Sequence, residues 1–423
     1  MLSHWAIYIM PITNGIELKS VAEFRNGLNF TKEDRGSGCP IIGVSDFSLQ
    51  GALDYTLLDK VNGEGITSAD DYLRSGDIVF VRSNGNKDLV GRSIFIRSNA
   101  PALFSGFCIR ARIDASKLEP LFSYYYTKTS AFKKQLAGTS GSNIQNLNQT
   151  VLGQIRLPNL PLPEQQKIAS VLSALDAKID LNHRINAELE ALAKTIYDYW
   201  FVQFDFPNTK GLPYKTSGGK MIWNDTLKRE IPEGWEVLPL LQHVDVSTDS
   251  VYPSAEPEKL FKHLSIPGFD ETGTFRLEHG DTIGSNKFTV RAFDLLVSKL
   301  NPWFNRVVAD TAHDDLICST EFVVWRCGNL LDQAYLYAIA TNQQFIDYCI
   351  RSATGTSNSH KRVNPQVMMR YEVPYSTEIA RQFGKFAAPL LQKRIKNQRE
   401  NHELSTLRDW LLPLLMNGQV QSG

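Results

Sequence analysis

No stretch of the 423 residues offers the eighteen or so consecutive apolar side chains that a membrane-spanning helix needs. The apolar opening MLSHWAIYIMP is short, lacks a basic leading region and has no clear cleavage site, so it is not read as a signal peptide. Cysteine is scarce: Cys39, Cys108, Cys318, Cys327 and Cys349 are odd in number and never stand as C-x-x-C. That argues against a disulfide framework and a zinc site, and fits reduced thiols in a cytoplasmic protein. The eight histidines form neither H-x-x-x-H nor H-E-x-x-H, so no metal centre is expected. No G-x-x-x-x-G-K-[ST] loop is present, which excludes an ATP-driven motor within this chain. Nuclease patterns are equally thin, since Glu258 and Lys259 are adjacent and Glu17-Leu18-Lys19 lacks an acidic partner. Finally there is no charge excess: Lys+Arg and Asp+Glu are both 45. A simple nucleic-acid binder is usually basic, so any such role rests on local basic faces or on a partner that brings the charge.

What the chain does have is a duplication. Residues Pro163 to Trp200 read as one long helix, with proline at the first helical position and apolar residues Ile168, Leu172, Leu175, Ile179, Leu189, Ile196 and Trp200 at steps of three and four or sums of these. Asn182 and Asn186 interrupt the apolar seam at its centre. Residues 378–411 repeat this pattern at an offset of about 215: Ile168 falls on Phe383, Leu175 on Leu390, Asn182 on Asn397 and Asn186 on Asn401. Two seams with matched polar interruptions predict an antiparallel helix pair in which the four asparagines fix the register. Pro389, inside the second copy, is expected to kink or split that helix.

The repeat extends ahead of the helices. GDIVFVRSN (76–84) has its counterpart in FDLLVSKLNP (293–302), and GTSGSNIQNLNQTVL (138–152) in GTSNSHKRVNPQVMM (355–369). Three blocks in one order at one period mean two similar domains of mixed strands and helices, an α+β fold with internal pseudo-two-fold duplication. Strands are predicted over 78–82, 92–97, 107–113, 295–299, 306–309 and 321–326, and aromatic-rich core helices over 118–136 and 331–352. The expected boundaries are a first domain over 1–160, a central helix over 161–204, a linker over 205–230, a second domain over 231–376 and a C-terminal helix over 377–423. Trp235, in the turn IPEGW, is expected as the first core anchor of the second domain.

Two sets of residues stand out as DNA-contacting candidates. At the strand exits these are Arg82, Asn84, Lys87 and Arg92 in the first copy, and Lys299, Asn301 and Arg306 in the second. Arginine pairs bidentately with guanine and asparagine with adenine in the major groove, so such loops can read bases, whereas the plain alternative is a polar hairpin tip. The second set lies in acid-free basic stretches carrying Gly/Ser/Thr/Asn loops, whose amides and hydroxyls suit phosphate oxygens. It comprises Lys133, Lys134, Ser140, Ser142 and Asn143, then Ser357, Ser359, His360, Lys361 and Arg362. The plain alternative there is a solvated loop. Asn301-Pro302-Trp303-Phe304 is similar to the Asn-Pro-Pro-aromatic motif of amino-methyltransferases, but it has one proline and no Gly-rich cofactor loop accompanies it. No catalytic constellation emerges.

GDIVFVRS with FDLLVSK, GTSGSNIQNL with GTSNSHKRV, the LPLPEQQKIASVLSALDAKIDLN helix and IPEGWEVLPL together resemble the specificity subunits of type I restriction–modification systems, over nearly the whole chain. The resemblance implies two target-recognition domains, each reading one half of a split double-stranded DNA site, on an antiparallel coiled coil. It implies two modification subunits carrying adenine methyltransferase activity and two restriction subunits adding ATP-driven translocation and cleavage. S-adenosylmethionine, ATP and Mg would then sit on those partners, and no cofactor or catalytic residue on this chain. The first copy lacks the Ile-Pro-x-Gly-Trp opening, and the second helix begins STEIARQFG in place of PEQQKIA. The two docking sites for modification subunits are therefore not expected to be identical. Readings from other classes are a stand-alone DNA adenine methyltransferase, which would need a cofactor loop, and a coiled-coil scaffold that reads nothing.

Overall fold

The structure, a computed structural model, describes residues 15–48, 53–140, 146–355 and 360–419; of Lys87, Thr139 and Ser140 it describes the backbone alone. The chain forms two compact units, Met1–Leu181 with Glu403–Gly423, and Asn182–His402. The sequence-based boundaries set the long helices apart from the domains. The compact units instead divide each helix near its middle, so that each globular part keeps the helical halves it packs against. Among the described residues no helix is long and apolar enough to cross a membrane.

In the first unit the main sheet is antiparallel, in the order Ala22–Asn26, Cys108–Ile113, Ile78–Val81, Ser93–Phe95. The central strand Ile78–Val81 is buried throughout, as its unbroken apolar run requires when both faces are covered. Helices Pro120–Tyr126 and Ser130–Ser140 cover one face with Phe122, Tyr125, Tyr126, Phe132 and Leu136. Ile168, Ala169 and Leu172 of the first long helix join the same core, as do Leu412, Leu415 and Met416 of the last.

The second unit repeats this order: Asp245–Ser247, Phe322–Arg326, Asp294–Ser298, Val307–Val308, again all antiparallel. Helices Leu330–Thr341 and Gln343–Ser352 occupy the equivalent places in sequence. Where periodicity predicts one helix in each copy, there are two. Asn342 breaks the second by capping the helix that follows, its Oδ1 accepting from Gln344 N at 2.9 Å. Thr129 does the same in the first, its Oγ1 accepting from Phe132 N at 3.2 Å. Among the described residues the side sheets differ: three strands in the first unit, five in the second.

Two expectations need correction. Residues 205–230 are not a loose linker. Phe204, Phe206, Tyr214 and Trp235 pack ring on ring, with Phe206 stacked on Tyr214 at 4.7 Å and on Trp235 at 5.1 Å, and Met221–Asn224 forms a hairpin with Arg229–Pro232. Gly, Pro and Lys in this stretch signal turns, but the aromatics spaced among them supply a core. Pro389 neither breaks nor splits its helix, which runs unbroken over Thr377–Met416. The proline removes one backbone donor on an exposed position, while Phe383, Ala387, Ala388 and Leu391 anchor the same turns in the core.

A duplicated ion pair ties each main sheet to its turn. Asp77 accepts from Arg74 N at 2.8 Å and from Arg112 Nε and Nη2 at 2.8 and 2.7 Å. Its counterpart Asp294 accepts from Arg291 N at 2.7 Å and from Arg326 Nη1 at 2.6 Å. Burial pushes the Asp294 carboxyl up despite Arg326, so the pair fixes geometry more than it adds net stability. Asp294→Ala removes the buried partner of Arg326, which keeps Asp249 and Ser247, and is expected to cost about 1–3 kcal/mol in urea unfolding. Arg362→Ala, at the more exposed pair with Glu321, should cost under about 1 kcal/mol.

Candidate nucleic-acid interface

In each unit the buried central strand delivers its polar exit onto the Gly/Ser/Thr/Asn loop. In the first, Ser83 bridges Asn146 in antiparallel fashion and Leu147 N donates to Arg82 O at 2.8 Å. In the second, Leu300 bridges Arg362 and Val363 N donates to Lys299 O at 2.9 Å. In each unit the strand exit thus meets a stretch about 60 residues further along the chain, Ser83 with Asn146 and Leu300 with Arg362. Ser142, Asn143, Ser357 and Ser359 lie outside the described residues, and only the backbone of Lys87 and Ser140 is described.

The side chains sort by what else they touch. Arg82 and Asn84 are half-buried, and Arg92, Lys133 and Lys134 are exposed. Arg92 turns its Nε back to Asp88 O at 3.2 Å. Lys128 and Arg156, which the acid-free stretch also contains, are committed internally. Arg156 donates to Glu17 Oε1 at 2.8 Å. Lys128 keeps an exposed surface, but its ammonium turns inward to donate to Ser93 O at 2.6 Å, 4.5 Å from the Tyr124 ring centre; that enclosure pulls its pKa down to about 8.

In the second unit Lys299 and Lys361 are half-buried and His360 is exposed. Among the described residues, neither lysine makes an ion pair. Arg306 is held in place by Asp270, with Nη2 to Oδ2 at 2.8 Å, and lies 4.5 Å from the Phe304 ring centre. Arg362 is held by Glu321 at 3.0 Å, which keeps its guanidinium charged above the usual range. Asn301, expected as a base reader, is buried. Its Oδ1 accepts from Lys361 N at 3.0 Å and its own N–H donates to Lys361 O at 2.7 Å, so it positions the loop.

The asparagines of the long helices form a polar layer inside the second unit. Asn182 Nδ2 donates to Asn401 Oδ1 and to Glu400 Oε2, both at 2.9 Å. Asn397 Nδ2 donates to Asn186 Oδ1 at 2.9 Å, and Asn186 Nδ2 reaches Arg394 O at 3.4 Å. All four are buried, Asn397 completely. One turn on, Arg394 Nε meets Glu190 Oε1 at 2.8 Å. Numbers rise along one helix as they fall along the other, so the pairing is antiparallel. The first unit has its own tie between the same two helices: Asp176 accepts from Arg408 Nη1 at 2.8 Å and from Tyr125 Oη at 2.7 Å. Periodicity predicts the asparagines; these charged ties carry no sequence signal beyond ordinary surface charge.

A family model described as "Type I restriction modification DNA specificity domain" matches residues 14–191. A curated relative, the type I restriction enzyme MjaIX specificity subunit of Methanocaldococcus jannaschii, is 26% identical over 328 residues, 73% of this chain and 70% of its own length. The chain is similar to the specificity subunits of type I restriction–modification systems. The EcoKI specificity subunit of Escherichia coli is 29% identical over 154 residues, 36% of this chain and 32% of its own length. The putative MjaX specificity subunit of M. jannaschii is likewise 29% identical, over 53% of this chain and about half of its own length, at 51%. Among solved structures, the S subunit from M. genitalium shares the fold, with a TM-score of 0.54 at 15% identity over 95% of this chain and 96% of that one. The matched segment ends inside the first long helix, and the second unit repeats its main sheet.

The buried amides have a measurable signature. Asn182→Ala removes the donor to Asn401 and Glu400 and should cost about 1–3 kcal/mol by urea denaturation. The double change Asn182→Leu with Asn401→Leu should cost less than Asn182→Ala, since the paired amides become apolar together and only the half-buried Glu400 loses a donor.

Proposed function

We propose that each unit of this specificity subunit reads one half of a bipartite double-stranded DNA target, through the surface where its strand exit meets its Gly/Ser/Thr/Asn loop. The single observation that supports this most is the recurrence of that junction in both units, Ser83 against Asn146 and Leu300 against Arg362, with Arg82, Asn84, Arg92, Lys133 and Lys134 around the first and Lys299, His360 and Lys361 around the second. Backbone amides and hydroxyls of the loops would meet phosphates, and the long side chains of the exits would reach base edges. Because the two junctions differ in sequence, the two half-sites need not be related by symmetry.

The helix pair sets the spacer between half-sites and docks two modification subunits, in a cytoplasmic complex completed by two restriction subunits. S-adenosylmethionine, ATP and Mg act on those partners, and this chain contributes recognition without catalysis. A neutral chain with few free cations at each junction fits a division of labour in which the partners supply much of the phosphate contact.

Replacing residues 76–148 with the same region of a relative, and mapping methylated sites in the host genome, should change one half of the target and leave the other half and the spacer as they were. A target that stays unchanged would favour the scaffold reading. The isolated chain should bind DNA weakly, with an affinity that falls steeply as salt rises, and gain sequence discrimination only with its modification subunits; gel-shift titrations at several salt concentrations measure both.

A further inference from the structure

The strand exit of the second unit ends in a feature that its counterpart lacks. Where the first unit has Asn84-Gly85-Asn86-Lys87, the second has Asn301-Pro302-Trp303-Phe304, and Trp303 and Phe304 stand 39% and 58% exposed. A tight helical turn over Pro302–Phe304 carries them, flanked by Asn301 and Asn305, both left-handed with φ of 48° and 45°. Non-glycine residues adopt that conformation at a cost and persist in it where surrounding contacts impose it. Those contacts are present. Asn301 is locked to Lys361 through two hydrogen bonds, Pro302 is buried, and the turn packs on helix Gln343–Ser352. Arg306, clamped by Asp270, stacks on Phe304. Two large, partly exposed rings are thus held on a fixed turn that follows Lys299 in the chain and is bonded through Asn301 to Lys361; among the described residues neither lysine makes an ion pair.

We propose that Trp303 and Phe304 form an aromatic wedge that enters the base stack of the DNA half-site read by the second unit, opening one base step there. This rests on the reading of the two junctions as DNA-contacting surfaces. A base step is the occupant favoured by the flanking cations, which complement phosphate charge, and by the site's place at the end of the recognition strand. Apolar side chains inserted between bases unstack a step and kink the duplex, and stacking on an aromatic ring is tolerant of base identity. The first unit, with polar residues at the same place, reads without such insertion. The two half-sites are therefore recognised in physically different ways, one by edge contacts alone and one by contacts together with deformability, which favours a flexible pyrimidine–purine step at the wedge.

The test uses the full chain assembled with its modification subunits, on a duplex carrying the target taken from the methylation map. 2-Aminopurine is placed in turn at each position of the half-site assigned to the second unit. The expected result is a several-fold rise in fluorescence at one base step with the unaltered complex. The Trp303→Ala, Phe304→Ala double variant should lose that rise and bind the target roughly tenfold to a hundredfold more weakly, the range for a lost base–aromatic stack. Trp303→Phe should keep most of both. Assembly should be unaltered and thermal melting lowered only slightly, because neither ring is fully buried. Unchanged target binding by the double variant, or no fluorescence rise at any position, overturns the wedge and leaves the recognition reading standing. Loss of co-purification with the modification subunits assigns the rings to a protein contact and likewise overturns it. An unaltered complex that does not distinguish target from scrambled duplex would instead remove the recognition reading itself.

Discussion

The asparagine layer in the helix pair constrains everything around it. Apolar seams alone leave sliding by a heptad or a reversal of direction open, because leucine against isoleucine is much the same in several registers. Asn182 against Asn401 and Asn186 against Asn397 admit one pairing, since any other leaves buried amides without partners. Even here Asn397 Oδ1 has no partner, the residual cost of a device kept for register more than for stability. Each helix belongs to both compact units, so a fixed register determines which turns of the helices each domain has available to pack on. In the second unit, Tyr337 donating to Glu190 and Asn342 donating to Asp198 tie the domain helices to the first long helix. In the first, Tyr125 and Arg408 converge on Asp176.

On those helices the two domains repeat one plan with different finishing. The four-stranded order, the buried Asp–Arg pair behind each central strand and the junction of strand exit with loop all recur. What varies lies where variation leaves that plan intact: the side sheets, the Asn-Gly-Asn-Lys exit against the Asn-Pro-Trp-Phe exit, and the cations around each. A scaffold of this kind allows the surface of one domain to change while the other, and the helix register, stay as they are.

Much of the architecture is legible in the sequence because duplication makes weak signals additive. A single apolar helix pattern is ambiguous; two copies with asparagines at matching positions are not. The central strands declare themselves by GDIVFV and FDLLV, runs that burial on both faces demands. The misreadings have physical causes. Pro389 is a helix breaker by propensity, yet packing on both sides of it holds the helix together. Residues 205–230 have the composition of a linker, but composition does not reveal that Phe204, Phe206 and Trp235 meet. Of the candidate contact residues, Asn301, Arg306 and Arg362 are engaged by Lys361, Asp270 and Glu321, partners 36 to 60 residues away that no local pattern identifies. Conversely, Trp303 and Phe304 belong to a motif similar to that of another enzyme class, and only their exposure on a rigid turn separates them from core aromatics.

The central claim is that two readers sit on a helix pair of fixed register whose length sets the distance between half-sites. The most direct measurement is a methylation map of cells in which four residues of helical sequence are inserted into both helices together, between Asp176 and Asn182 and between Asn401 and Arg408. These insertions leave both polar ties intact and lengthen the pair by about 6 Å, the rise of roughly two base pairs. The account predicts a spacer longer by one or two base pairs with both half-sites unchanged. An unchanged spacer, or altered half-site sequences, would contradict it.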